Sequence, residues 1–336
     1  MIGQRFTELD GLRGIAAVAV VFYHYLVRYV ELYGGDNVVS IDLFWLSYGV
    51  QLFFAISGFV IFYSIEKKGV GAEFIVARFA RLYPGYLFAV FLTFSIVGAF
   101  GLEGRERSVL DLIKNLIIFH SYFGIASIDG VYWTLSYEVV FYGLVFVLAI
   151  SLKSISLYRK VVFIYLCSSI FILIAGNDYI VSKMLNKTFI LDYLSFFIMG
   201  MYFCQRVNDE NKSDILGMII ILFLMYLKGE NWVVFAVVFL IFQMLMNGWL
   251  KVLKNNFFCY LGMISYSLYL LHQNIGYVII NLFVDDFGLV LAIMMAIMVS
   301  LILATISYYF VERVGKKIVL NQYNKFLTSS FMINKS

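Results

Sequence analysis

"GLRGIAAVAVVFYHY", residues 11–25, sets a guanidinium, Arg13, and an imidazole, His24, at the two ends of ten consecutive residues that are all small, aliphatic or aromatic. Such a run reads as a helix made for lipid. Inside a bilayer every polar group must find a partner within the protein, so an ionisable side chain there is functional by default. Fold and function are therefore raised by the same fifteen residues.

The rest of the chain repeats the signature. Of 336 residues, 62% are hydrophobic and 14% charged, with a mean hydropathy of +0.90; a soluble domain carries about 25% charged residues. The expected fold is all-α, a polytopic integral membrane protein with about ten transmembrane helices. Spans are placed at roughly 12–30, 44–64, 84–102, 131–151, 161–176, 188–204, 214–228, 232–247, 258–283 and 288–310. The single proline, Pro84, lets nearly every helix run unbroken. Segments 161–176 and 214–228 are short for a crossing and read as tilted neighbours, or as longer than drawn. The segment 103–130 contains "LDLIKNLIIFHSYF", too short and too charged to span, and is expected at the interface or folded over the bundle. The chain reads as one membrane domain, 1–336, with the bundle over about 7–313 and a short basic cytoplasmic tail, 314–336. Arg5 ahead of an apolar run imitates a signal peptide, but the run is long enough to span and lacks a small-residue cleavage site, so a retained first helix is expected. Cys167, Cys204 and Cys259 are odd in number and widely spaced, which argues against a disulfide framework or a metal site.

Charge placement gives orientation. With the N-terminus in the cytoplasm, seven of the 25 Lys and Arg residues fall outside: Arg28, Arg105, Arg107, Lys114, Lys183, Lys187 and Lys228. The other 18, Arg5, Lys153, Lys212 and Lys335 among them, fall inside. That is the bias of the positive-inside rule, and it places both termini in the cytoplasm. A net charge of only +4 gives no sign of a nucleic-acid partner. The partner implied first is the lipid bilayer.

Three ionisable groups converge in depth. His24 lies about 18 Å above the inner end of the first span, Glu138 about 20 Å into the fourth and His272 about 21 Å into the ninth, at 1.5 Å per residue. Each alone could be a separate structural contact. At one depth, an imidazole with a carboxylate is the pairing that orients a general base. Arg13 is three turns from His24, on the same face but roughly 16 Å away. A ligand with an anionic head and a reactive far end would touch both, and an acyl-coenzyme A has that shape. In "FIVARFARLYPGY", residues 74–86, read as the loop between the second and third spans, Arg78 and Arg81 share one face of a helical turn, suited to phosphate or to simple anchoring at the inner membrane edge. Pro84 then suits the first turn of the third span. Tyr132 and Trp133 read as interfacial aromatics, and Ser57 and Gly58 as small residues for close helix packing. The ninth span is unusually polar, with Ser265, Ser267, Tyr269, His272 and Asn274. His120 reads as a structural loop residue, and Glu31, on roughly the same face as His24, as an outer-rim carboxylate.

Six motifs in order resemble the acyltransferase 3 family of bacterial membrane acyltransferases. "LDGLRGIAAVAVVFYH" has the family's Arg-x10-His spacing. "GVQLFFAISGFVI" is similar to its "GVDLFFVLSGFLI", with Gln51 at a variable acidic position. "FIVARFARLYP" is similar to F-x3-R-x2-R-[IL]-x-P, and "WTLSYEVVFY" to WSLxxExxFY. "LGMISYSLYLLH" and "FVER" match the closing landmarks. The likeness runs from about residue 7 to residue 313. Val314 stands where the family usually has proline. The likeness is to the stand-alone form, for which no extracytoplasmic esterase-like domain is expected. The resemblance implies that His24 is the catalytic imidazole with Glu138 in support, and that Arg13, Arg78 and Arg81 serve the acyl donor. Trp133, Ser57, His272 and Tyr269 are candidate site-lining residues, and no metal ligand set is implied. It further implies a multi-pass protein of the bacterial cytoplasmic (inner) membrane, moving an acyl group, most simply acetyl from acetyl-CoA, to a hydroxyl of a carbohydrate acceptor. Surface glycans such as O-antigen, or lipid-linked oligosaccharides, are the acceptor classes. Acetyl-CoA is then a substrate, with no permanently bound cofactor. The rival readings are a transporter or flippase for acyl groups or lipid-linked glycans, a non-catalytic subunit of a glycan assembly complex, and a succinyl-type donor.

Overall fold

The structure, a computed structural model, describes residues 6–34, 43–151, 156–208 and 214–333, with side chains to residue 328. Arg5, Lys153, Lys212 and Lys335 of the charge count lie outside the described residues. No strand occurs among those described. The helices are α1 (Thr7–Tyr33), α2 (Gly49–Lys68), α3 (Ala72–Phe100), α4 (Val109–Lys114), α5 (Trp133–Ile150), α6 (Leu157–Ala175) and α7 (Ile180–Phe189). They continue as α8 (Leu191–Asn208), α9 (Ile215–Leu227), α10 (Trp232–Met246), α11 (Asn256–Leu271), α12 (Gln273–Ser307) and α13 (Arg313–Ile333). Among the described residues, seven helical stretches are long and apolar enough to cross a membrane, and the chain is a multi-pass membrane protein. The expectation of about ten spans meets seven of that length plus α9, α10 and α11, which have 13, 15 and 16 residues. About 20 residues are needed to cross 30 Å of hydrocarbon as a helix along the normal.

Two compact units form, each from discontinuous chain. The first holds Met1–Ala16, Tyr48–Val70 and Thr134–Asn255. Its centre is the contact of α2 with α8, where backbone meets backbone. A Cβ on Gly58 would lie 2.1 Å from the carbonyl oxygen of Phe197, and one on Gly200 would lie 1.9 Å from that of Ala55. Small residues are what helices without a hydrophobic drive between them use to approach closely, so Gly58 acts as its sequence context suggests. Around that contact Phe197 stacks on Phe141 at 4.0 Å between ring centroids and packs on Phe54 at 4.9 Å.

The second unit holds Ala17–Ser47, Gly71–Trp133 and Asn256–Ser336. Here two expectations are corrected, and a third is decided between its alternatives. First, α3 begins at Ala72, so Arg78 and Arg81 lie within a helix, not a loop, and Pro84 is inside it, not in its first turn. The missing proline N–H leaves the Ala80 carbonyl without its helical donor. The proline ring lies so close to Gly315 that a Cβ there would be 2.5 Å from the proline Cβ. Secondly, the predicted span 258–283 is two helices, α11 and α12, parted at His272. After a second break at Gly288, whose φ is +76°, α12 brings Ser300 back to His272: the Tyr25 hydroxyl donates to the His272 carbonyl at 2.7 Å and meets Ser300 Oγ at 2.7 Å. Of the two places expected for the segment after α3, the structure shows the one folded back over the helices. The hydroxyls of Tyr83 and Tyr86 donate to the carbonyls of Leu116 and Asn115 at 2.5 and 2.6 Å. Those tyrosines lie 14 to 17 residues before Phe100, about 21–26 Å along the helix, so residues 101–132 double back along α3. Irregular backbone at such depth is stable only where protein satisfies its carbonyls, and these two tyrosines do so. His120 is buried in this segment with Nε2 2.8 Å from Ser127 Oγ, a structural place as its sequence context indicates.

Where the returning segment meets the break, Asp129 substitutes for the lost helical bonds. Its carboxylate accepts from the N–H of Asn274 at 3.0 Å and of Val131 at 3.2 Å. Burial pushes this carboxyl up to about 6, and the N–H donors restrain the rise. Between about pH 4 and pH 6 the folded protein holds a proton that the unfolded chain has released, so stability falls as pH rises through that window and levels above it. The thermal midpoint of Asp129→Asn in detergent, subtracted from that of the native protein, is accordingly expected to change between about pH 4 and pH 6. A difference independent of pH would mean the carboxyl does not titrate there.

Candidate active site

His24 and His272 are 248 residues apart in sequence, and the structure brings them into hydrogen-bond contact. His272 is fully buried. Its Nδ1 lies 2.8 Å from the carbonyl of Tyr269 and 3.1 Å from that of Leu268. Carbonyls only accept, so Nδ1 carries the proton and Nε2 of the neutral ring is an acceptor. That Nε2 lies 2.9 Å from His24 Nδ1, which is also 2.9 Å from the Val20 carbonyl. Both neighbours accept, so His24 Nδ1 holds the proton and shares it between them. The other nitrogen, His24 Nε2, is left with its lone pair. Because His24 is half-buried while His272 is wholly enclosed, only the first can meet a substrate.

Local backbone aims this pair. Residues His24–Arg28 form a π-turn inside α1, closed by the Tyr29 N–H on the His24 carbonyl. Such turns, with one residue more than the α-helix allows, are frequent at functional sites. On the other side, Tyr25 fixes the break by holding the His272 carbonyl. It approaches α12 so closely that a Cβ on Gly276 would lie 2.0 Å from its hydroxyl.

Glu138 is placed in the first unit, at the fourth of the expected spans. Its Oε1 accepts from Ser57 Oγ at 3.0 Å and from the hydroxyl of Tyr142, one turn along the same helix. Arg13, also in that unit, has Nη1 3.9 Å from Asp10. Among the described residues no group of His, Cys, Asp and Glu has the arrangement to hold a metal ion.

A family model described as an acyltransferase domain matches residues 6–309. The chain belongs to the acyltransferase 3 family. The relatives of this acyltransferase-family protein include "Protein 2 in picA locus" of Rhizobium radiobacter, 40% identical over 94 residues, covering 26% of this chain and 44% of that protein. "Acyltransferase MdmB" of Streptomyces mycarofaciens is 32% identical over 151 residues, covering 41% of this chain and 38% of the other. "Nodulation protein 10" of Rhizobium leguminosarum bv. viciae is 28% identical over 160 residues, covering 40% and 42%. The chain thus spans less than half the length of these curated relatives. No solved structure matches it.

In the second unit of this family member, Arg78 and Arg81 stand one turn apart on α3, with the Arg78 guanidinium 5.5 Å from the centre of the Phe74 ring. Arg81 is within electrostatic reach of Glu312. Glu312 ends the second π-turn, Tyr308–Glu312, and accepts from Ser267 Oγ, which is itself 2.7 Å from Ser307 Oγ. Gly85 admits the Glu312 side chain, since a Cβ there would lie 3.1 Å from Glu312 Cγ. Sequence reading used "FVER" only as a landmark and missed Glu312 as a site group. The available signal was a carboxylate directly following an apolar run. Tyr269 lines the pair through its carbonyl and through its ring, 5.9 Å from that of His272. Trp133 opens α5 and is half-buried.

Proposed function

We propose that the protein is a membrane O-acyltransferase moving an acyl group, most simply acetyl, from a cytoplasmic acyl-CoA to a hydroxyl of a surface or lipid-linked carbohydrate. The observation that carries this reading is the free lone pair on His24 Nε2, fixed by the commitment of Nδ1 to His272 and Val20. In the proposed reaction, Nε2 removes the proton from the acceptor hydroxyl as its oxygen attacks the thioester carbonyl. The new C–O bond forms, the C–S bond breaks, and the departing thiolate takes the proton back from Nε2. A covalent acyl-His24 is the competing route through the same nitrogen, and mass analysis of the protein after exposure to donor alone separates the two. Arg13, Arg78 and Arg81 are assigned to the donor phosphates, whose planar bidentate recognition suits guanidinium. Glu138, its carboxylate fixed by Ser57 and Tyr142, stays in the proposal as a supporting charge, while the bond that orients the imidazole is assigned to His272. The site belongs to the inner membrane of a bacterium in this reading, with donor from the cytoplasm and acceptor from the outer side.

The test is mass spectrometry of surface glycan from cells with and without the chain, fed isotope-labelled acetate. An acetyl-sized, labelled increment that depends on the chain supports the reading, and a succinyl-sized one changes only the donor. One observation favours a second reading: helix α11–α12 broken at depth beside a returning segment is also a transporter feature. Export of glycan lost on deletion, with acylation unchanged, would select it.

A further inference from the structure

We propose that the end of α1 beyond His24 forms, with Phe44, a carbohydrate subsite that seats a sugar ring of the acceptor beside the imidazole; this rests on the acyl-transfer reading. Every residue of it belongs to the second unit. His24 opens the π-turn and Arg28 closes it, so the two come round to one side of α1 about one turn apart. Arg28 is within electrostatic reach of the His24 ring. Its Nη1 donates to Glu31 Oε2 at 2.8 Å, three residues further on. Both side chains of this pair are open, at 43% and 45% exposure. Charged groups so exposed do not stand in hydrocarbon, which puts this end of α1 in the aqueous or headgroup layer. The aromatic half of the site adjoins the same imidazole. The Tyr23 ring meets that of His24 edge-on at 5.2 Å between centroids. Phe44, which opens the turn Phe44–Tyr48, meets the Tyr23 ring edge-on at 5.7 Å and is 46% exposed. Arg28 and Glu31 are both within electrostatic reach of Tyr23, so rings and ion pair border one patch. None of the five residues is enclosed, and a ligand meets them from outside with no internal cavity required.

The chemistry of the patch selects its ligand. A pyranose has an apolar face of C–H groups, which packs on an aromatic ring, and a rim of neighbouring hydroxyls. A carboxylate accepts from two hydroxyls through its two oxygens, and a guanidinium donates to two through its planar fork. An aromatic ring beside an Arg–Glu pair therefore matches both parts of one molecule. A fatty chain would use the ring alone and set both charges against hydrocarbon, and a phosphate would be repelled by Glu31. An exposed ion pair adds little to stability, so removing its carboxylate tests recognition without threatening the fold.

The experiment uses the full chain purified in detergent, native and as Glu31→Ala, Phe44→Ala and Phe44→Trp. The probe is oligosaccharide released from the non-acylated surface glycan of cells lacking the chain. Its Kd is measured by titration calorimetry without donor, and its KM with labelled acetyl-CoA. The expected result is a Kd and a KM for oligosaccharide raised at least tenfold in Glu31→Ala and Phe44→Ala. The KM for acetyl-CoA and the thermal midpoint hold, and Phe44→Trp recovers binding. A Kd unchanged in both alanine variants would leave the ring and the ion pair as features of the membrane surface and overturn the subsite, with acyl transfer untouched. Equal losses against both substrates with a lowered midpoint would assign the residues to packing and overturn it likewise. A native protein that binds the oligosaccharide through these residues but transfers no label would refute acyl transfer and keep the subsite. One that neither binds nor transfers would refute both.

Discussion

His24→Ala loses acyl transfer by at least about a hundredfold, and by up to about 10,000-fold, the range supplied by a positioned general base. If the acyl group passes through a covalent intermediate on Nε2, the loss is total. The protein remains folded. His24 is half-buried, and one of its two bonds is to its own helix, at Val20. What the substitution leaves behind is the enclosed Nε2 of His272 without a donor, a cost of about 1–3 kcal/mol. The check is paired: transfer of labelled acetyl to glycan, and the thermal midpoint in detergent. A variant with native activity removes His24 from the chemistry, whatever the family likeness. A variant that is inactive and unfolded would move the residue to a structural role, and His24→Gln, which keeps a polar side chain toward His272, then discriminates between the two.

The second large effect is expected at His272. Its ring is wholly enclosed and cannot reach substrate, so its action is through the tautomer and orientation of His24. With His272→Leu, His24 Nδ1 keeps only the Val20 carbonyl, its ring is free to turn, and the rate falls by about tenfold to a thousandfold. The reference is a serine-protease triad, where loss of the correct imidazole tautomer costs about 10,000-fold. His272→Gln offers an amide oxygen near the position of Nε2 and restores part of the activity. A merely structural histidine would show a different pattern, with stability lost in both variants. The deciding readout is the split between kcat and KM: kcat falls in His272→Leu, while the KM for acetyl-CoA stays. The pH dependence of kcat is expected to move with it, since the partner of the titrating ring has changed. Equal kcat values in the native protein and His272→Leu would end the assignment.

Both predictions depend on a contact that the sequence made thinkable without specifying it. Depth counting put His24, Glu138 and His272 at one level, with Glu138 as the orienting partner of His24. In the structure His24 Nδ1 bonds to His272, and within its own unit Glu138 receives the hydroxyls of Ser57 and Tyr142. Rise per residue fixes height along a helix and says nothing of which faces meet, so a carboxylate and an imidazole were equally placed by that arithmetic. Arg78 and Arg81 were legible as a pair on one face. The helix that carries them was not, because a proline after polar residues reads as a first turn, whereas Pro84 lies thirteen residues in, its ring packed against Gly315.

By itself the sequence determined that this is an all-helical membrane protein with an ionisable residue inside its first helix, because lipid permits no other backbone and makes each buried charge conspicuous. Six spaced motifs determined the family. The tertiary structure alone decided where the helices break, that residues 101–132 return along α3, and that π-turns stand at His24 and Glu312. Those features carry no periodic signal. They arise when local helix bonds are exchanged for others made far along the chain, as Asp129 does for Asn274, and such exchanges exist only once the partners have packed.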